Sequence, residues 1–423
     1  MERSIMNEIK KIPCDKTIDN SLLLLFEGYP FIQNRCKRYQ TDIFKTRLLG
    51  QKVICVSGEE ATKVFYDDAH FIRKNVAPKR IQKTLFGENG VQGLDGRAHK
   101  ERKEMFMSIM NYENLKTLIQ YTREQWEINT KKWNNKDIVL FDEAQIIMCQ
   151  VACKWAGVPL KSTEVTQRAR DLGKMIDGFG GVGLRYWEGK CARKSSEKWI
   201  ADIITKIRSQ KISPQKCTAA YTIAWHRDGN NRILSTQIAA VELLNIIRPI
   251  VAIATYITFG ALAIHKNPAC RLNLRSNTND YRQLFVQEVR RFYPLTPFVG
   301  AKVRKSFIWK NYFLDKGTLV LLDVYGTNHS EKLWSNPNEF IPERFINWND
   351  NRFSFIPQGG GDYANGHRCP GELLTIEIMK ESFDFLANNL SYKVPKQNFN
   401  YPLCRIPTLP KSRFVIKRVM QIN

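Results

Sequence analysis

One cysteine in this chain stands where its sulfur can be made reactive. Residues 353–372 include three successive glycines, Gly359, Gly360 and Gly361, followed by Gly366-His367-Arg368-Cys369-Pro370-Gly371-Glu372, and they run straight into an apolar-periodic segment, 373–390. Pro370 suits the first position of a helix, and the N–H groups and dipole of a helix start converge on the residue before it. His367 and Arg368 add cations beside the same spot, while Gly366 and Gly371 let the backbone approach a flat ligand closely. Donors and cations together favour a thiolate at Cys369, which can serve as a nucleophile, a redox thiol or a metal ligand. A buried cysteine that merely precedes a helix is the plainer reading of the same spacing.

Three further constellations place charged residues inside an apolar helix or at helical spacing. Segment 236–265 is apolar on almost every face, which predicts a buried helix, yet Arg248 and Pro249 sit in its middle. Pro249 removes a backbone donor and frees the Asn245 carbonyl, which predicts a kink, and Arg248 places an obligate cation where it needs an anion. An internal carboxylate such as Glu242 is the ordinary partner; a bound anionic ligand is the other. His99 and Lys103 stand four apart on one helix face, a solvated face being the plain alternative, and Glu288 and Arg291 stand three apart on another helix.

The elements that must position these groups are mostly helical. Helices are expected over 22–35, from Ser57 onward, through His99, Phe106 and Ile109, and over 118–133, 141–155, 171–179 and 198–209, with a glycine-rich break at 178–183. Alternation predicts a hairpin over 42–56, paired strands over 307–323 with Lys316-Gly317 as the turn, and short strands in the tail from Tyr392 through Ile416. Residues 71–90 read as a basic loop near the site, residues 293–299 as cavity lining, and His226 as an exposed loop residue.

Composition narrows the class. With 43% hydrophobic and 11% aromatic residues the chain can bury a large core. The net charge of +24 is spread, without blocks of like charge, and reads as a solvated surface that attracts anionic small molecules rather than nucleic acid. Ten cysteines without a Cys-x-x-Cys pair or a legible leader predict reduced thiols and a cytoplasmic location, with Cys149 and Cys153 in the core. The longest apolar run, 250–264, is shorter than the roughly 18 residues of a membrane span, so no membrane anchor is expected.

The Gly366-His367-Arg368-Cys369-Pro370-Gly371 string, with Phe355 and the glycines upstream, resembles the haem-thiolate loop of the cytochrome P-450 superfamily. The resemblance runs from about Leu22 to Ile416 and implies a mainly α fold with small β-sheets, in a single haem-thiolate catalytic domain over 1–423. It implies haem b as cofactor, Cys369 as the axial iron ligand, and His99, Lys103 and His367 as further cofactor-binding residues. It also adds Arg344 to Glu288 and Arg291 in a core-supporting cluster. Most members carry an acid followed by Thr in the long central helix. Arg248-Pro249 in that place, with the glycine triplet and Gln92-Gly93-Leu94-Asp95, is similar to the fatty acid peroxygenase branch.

That branch implies alpha or beta hydroxylation of long-chain fatty acids by hydrogen peroxide, without a redox partner. Arg248 and the substrate carboxylate would act together as acid and base, and Gln92 would bias the outcome toward hydroxylation, with decarboxylation to an alkene as a minor path. A reductase-fed monooxygenase and a non-catalytic haem or fatty-acid binder are the competing readings. Two positions depart from the branch: the composition of 362–365, and Thr296 where Gly is usual.

Overall fold

The computed structural model describes residues 9–134 and 136–422. Residues 1–8 and 423 lie outside that range, and with them the N-terminal stretch in which no leader is expected and the outer limit of the expected 1–423 domain.

Helices dominate. In chain order they are α1 Ser21–Glu27, α2 Phe31–Tyr39, α3 Glu59–Phe65, α4 Gly96–Ile109, α5 Tyr112–Thr130, α6 Leu140–Ala156, α7 Val165–Gly178, α8 Leu184–Arg208, α9 Ala219–Trp225, α10 Thr236–Lys266, α11 Pro268–Ser276, α12 Tyr281–Phe292, α13 Val324–Asn328 and α14 Glu372–Asp384. The strands are β1 Ile43–Leu48, β2 Gln51–Ser57, β3 Phe71–Ile72, β4 Ile138–Val139, β5 Phe298–Val303, β6 Phe307–Trp309, β7 Tyr312–Leu314, β8 Leu319–Asp323, β9 Leu390–Lys393 and β10 Val415–Gln421. They form a five-stranded sheet in the order β1-β2-β8-β5-β3, a three-stranded sheet β4-β10-β9, and the hairpin β6-β7.

Helix α10 is the axis of the molecule. Ser235 caps it by accepting the Ile238 N–H at 3.2 Å, and the helix continues through Pro249 to Lys266. It packs on α6, α8 and α14. Gly260 makes the last of these approaches possible, since a Cβ there would lie 2.1 Å from the Phe383 ring. Among the described residues it is the one helix long and apolar enough to cross a membrane, but 83% of its most apolar stretch is buried in the protein, as in the core helix of a water-surrounded domain.

Several local expectations change. The helix expected over 22–35 is two helices, because Gly28 (φ +64°) meets the Leu403–Cys404 backbone and Pro30 starts the second. The 71–90 loop holds β3 and a helical turn at 79–86. Helix α8 begins at Leu184, well before residue 198, and α9 adds a short helix between α8 and α10. The β6-β7 turn is Lys310-Asn311, both with positive φ, and β8 leaves the hairpin to pair with β2 in parallel and with β5 antiparallel. His226 caps the end of α9 and is half-buried rather than exposed.

The Glu288 carboxylate is fully buried, and two guanidinium groups meet it. Arg291 Nε lies 2.7 Å from Oε2 and Arg344 Nε 3.2 Å from the same oxygen, while the Ile341 N–H donates to Oε1 at 2.9 Å. Arg291 also donates to the carbonyls of Asn328 and Pro337 at 3.0 and 2.9 Å. The cluster thus ties α12, the end of α13 and the 337–345 loop together.

Two stability outcomes are expected. Glu288→Ala leaves two buried guanidinium groups facing each other and should cost about 3–5 kcal/mol in urea unfolding; a loss under about 1 kcal/mol would show that the cluster is not a support. Asp323 is buried without a cation, and burial raises its carboxyl to about 7 against the Gly326 N–H and Ser57 hydroxyl that favour the anion. The folded state therefore holds a proton that the unfolded state has lost, and this group's contribution falls as pH rises from about 4 through 7. Wild type should lose stability relative to Asp323→Asn between pH 5 and 8, and parallel pH profiles would contradict this.

Candidate active site

The glycine-rich loop folds back so that the Cys369 N–H donates to the Gln358 carbonyl at 3.1 Å. Helix α14 starts at Glu372 with Gly371 at its cap, two residues later than Pro370 predicted. Gly359 and Gly361 have φ of +92° and +80°, and a Cβ on Gly359 would press on the Tyr66 hydroxyl at 2.7 Å. The divergent residues 362–365 close on themselves, with Ala364 and Asn365 donating to Asp362, and the Tyr363 hydroxyl donates to the Pro370 carbonyl at 2.7 Å.

Gln358, which in the sequence only heads the Gln358-Gly359-Gly360-Gly361 motif of the branch resemblance, also addresses the sulfur. Gln358 Nε2 lies 3.8 Å from Cys369 Sγ and 3.1 Å from Thr375 Oγ1. Its oxygen accepts from Arg290 Nε at 3.2 Å, which fixes the amide with its donor toward the sulfur. Arg290 in turn is paired with Glu372. The only signal for Arg290 was its place beside Arg291.

The expected thiolate does not follow from the protein alone. Burial pushes the Cys369 thiol up and Glu372 adds to this, against the Gly371 N–H, Lys103 and Gln358. Arg368, counted as a cation for the sulfur, is held by Glu372 at 2.6 Å. A metal cation at the sulfur would reverse the balance, because a coordinated thiol is deprotonated outright.

His99, Lys103 and His367 come together on one side of the loop. The His99 and His367 rings stack with centroids 3.8 Å apart, and Lys103 Nζ donates to the Arg368 carbonyl at 2.5 Å. His367 Nε2 lies 3.7 Å from Asp95 Oδ1, and Asp95 accepts the Arg73 and Lys74 N–H groups, each at 2.8 Å. Burial, followed by His367 and Lys103, brings His99 down to about 3, and burial brings Lys103 down to about 8. His367 is lowered by burial too, although Asp95 opposes it, whereas Asp95 is held near 2 by His367 and the two amides against its own burial. The histidines therefore offer neutral N–H donors rather than the expected cations. Arg73 is 7% exposed and stacks on Phe65 beside this group; in the sequence it was one charge in a basic, irregular segment.

On α10, Arg248 is 7% exposed. Its Nε has no hydrogen-bond partner, and among the described residues no carboxylate pairs with it. Glu242, the partner considered for it, is taken by Arg102 at 2.5 Å. Burial and Arg193 lower the Arg248 guanidinium to about 9, while Cys369 acts the other way. Gln92, in the turn Val91–Gly93, reaches the same helix through Asn245 at 3.4 Å. Tyr293, Leu295 and Thr296 line a small cleft with Tyr256 and Arg290.

The residues present fit an iron protoporphyrin. Cys369 supplies one soft ligand on an open, glycine-lined loop, and the described residues contain no group of three His, Cys, Asp or Glu that could cage a metal by itself. A metal held here must bring its other ligands with it. Lys103, with the His99 and His367 N–H groups, suits an acidic edge.

Comparison with known proteins places the chain in context. Residues 277–415 match the family described as Cytochrome P450. The structure of cytochrome P450EX alpha (CYP152N1) with myristic acid is 42% identical, with 98% of this chain and 100% of that one aligned at a TM-score of 0.95. A variant of cytochrome P450 OleT in complex with arachidonic acid is 36% identical, covering 98% and 99%, with a TM-score of 0.95. Protopanaxadiol 6-hydroxylase of Panax ginseng is 22% identical over 82% of this chain and 79% of its own length.

Removing the Lys103 charge should loosen an acidic group bound beside it. Lys103→Ala is expected to speed transfer of haem to apomyoglobin about tenfold or more, the worth of one charge-assisted hydrogen bond. An unchanged rate would remove Lys103 from the cofactor contacts.

Proposed function

The chain belongs to the cytochrome P450 family, among its CYP152 members, and from that premise we propose that it hydroxylates long-chain fatty acids at the alpha or beta carbon with hydrogen peroxide. The observation that carries this reading is the buried Arg248 without an anionic partner. An unpaired buried charge costs several kcal/mol, so a ligand carboxylate is its natural complement, and the planar guanidinium can hold it bidentately. Cytochrome P450EX alpha with myristic acid and OleT with arachidonic acid support the substrate class.

Cys369 would hold the iron of haem b, with His99, Lys103 and His367 at its acidic edge. When bound, the haem supplies the redox chemistry by which one peroxide oxygen enters a C–H bond and the other leaves as water. The chain's own part is placement. Arg248 fixes the carboxylate, and the alkyl chain extends among the apolar side chains, so the carbons next to the carboxylate are those held at the reaction centre. Pro249 follows where most of the superfamily carries Thr, and Glu242 is engaged by Arg102, so α10 offers no free acid beside Arg248. Proton transfer to and from the peroxide oxygens then falls to the bound carboxylate itself. Gln92, whose oxygen lies 3.4 Å from Asn245 Nδ2, would bias which carbon reacts.

The test uses purified haem-loaded protein, hydrogen peroxide and saturated fatty acids without reductase, with products read by mass spectrometry. Alpha- or beta-hydroxy acids are expected, and Arg248→Ala should remove them, at least a hundredfold, while keeping the thiolate-type carbon monoxide spectrum that Cys369→Ser loses. Product only with NADPH and a redox partner would mark a conventional monooxygenase. Fatty-acid binding with no product under any oxidant would mark a binding protein.

A further inference from the structure

Between α4 and α10 lies a buried polar chain that ends on Gln92 and whose other members, Arg102, Glu242 and Asn245, have no direct part in the proposed reaction. Arg102 Nη1 meets Glu242 Oε1 at 2.5 Å, with Glu242 fully buried. The other oxygen, Oε2, accepts Asn245 Nδ2 at 3.1 Å, and the Val91 N–H also donates to this carboxylate. The same Asn245 nitrogen lies 3.4 Å from Gln92 Oε1.

The polarity of this chain is set at its charged end. Burial raises the Glu242 carboxyl, but Arg102 at 2.5 Å and the Val91 N–H favour its anion; a carboxylate so paired only accepts, and Asn245 turns its NH2 toward it. With both Nδ2 hydrogens committed, one to Glu242 and one to Gln92, Gln92 must present its oxygen inward, and its NH2 is left for the far side. Asn245 Oδ1 is left as a buried acceptor without a partner. Asn245 stands three residues before Arg248 and Gln92 beside it, so both free amide ends belong to the surroundings of the docked acid.

We infer that Arg102 and Glu242 are positioning residues that lock the amide orientations of Asn245 and Gln92, so that Gln92 offers a donor to the substrate carboxylate and Asn245 offers an acceptor to an O–H of the peroxide. This rests on the fatty-acid reading of the site. A flipped Gln92 would set its oxygen against the carboxylate, and a flipped Asn245 would set its oxygen against Glu242. The anion 140 residues away in sequence from Arg102 thus acts on regiochemistry through two neutral amides.

The test is a coupling measurement on the haem-loaded protein. Asn245→Leu cuts the chain while leaving the Arg102–Glu242 pair intact, and Arg102→Met with Glu242→Leu removes the anchor without leaving a buried charge alone. In the wild-type background, Gln92→Ala should weaken myristic acid binding in calorimetry roughly three- to tenfold and shift the alpha-to-beta product ratio. In either relay variant Gln92→Ala should change neither quantity further, since its orientation is already lost. A structural role alone would lower the melting temperature and leave the Gln92→Ala effects intact, and additive effects in both backgrounds would overturn the inference. Absence of oxidised product from wild type would defeat the proposed reaction, while the calorimetric coupling would still decide the relay.

Discussion

The interior of this chain excludes water, and every charge left there must be met by another charge or by several hydrogen bonds. Glu288 is met by Arg291 and Arg344, Glu242 by Arg102, and Glu372 by Arg290 and Arg368. These pairs join segments distant in sequence and hold α10, α12 and α14 in register around the cysteine loop. Among the described residues Arg248 meets neither a carboxylate nor a hydrogen-bond acceptor for its Nε, and that makes it the candidate anchor for a ligand. A cation that folding leaves unmet is a standing attraction for an anion small enough to enter, which is why one arginine carries so much of the functional reading.

The same desolvation works against Cys369. A helix start, nearby N–H groups and basic neighbours lower a thiol where water is near, but here burial and Glu372 outweigh them. The neighbouring histidines lose their charge for the same reason. The site is therefore incomplete in the electrostatic sense: a metal ion at the sulfur and carboxylates at the His99–Lys103 edge would each stabilise the charge states that the protein alone disfavours. A carboxylate proposed at Arg248 and a cofactor metal proposed at Cys369 would answer two halves of one problem.

Amide groups carry direction between those charges. Gln358 is oriented by Arg290, and Asn245 by Glu242, so a neutral side chain near the chemistry inherits its polarity from an ion several ångströms away. Burial preserves that polarity, because a flipped Asn245 would set acceptor against acceptor at Glu242 and a flipped Gln358 donor against donor at Arg290.

What the sequence by itself determined was local or composed of contiguous motifs: the cysteine loop, the i to i+4 pair of His99 and Lys103, the Glu288 and Arg291 spacing, and the apolar helix interrupted by Arg248-Pro249. Each is legible because helix periodicity and turn chemistry act over a few residues. What only the tertiary structure decided was which charge meets which. That Glu242 belongs to Arg102 and not to Arg248, that Gln358 reaches the sulfur with its amide held by Arg290, and that Arg73 and Asp95 join the histidines could not be read in advance, since these partners come from separate segments. The division of 22–35 at Gly28 and the departure of β8 from its hairpin have the same cause, for in both a distant backbone, at Leu403 or in β2, overrides the local pattern. Local chemistry proposes the charged groups; the packed interior, by excluding water, decides their partners and leaves Arg248 without one.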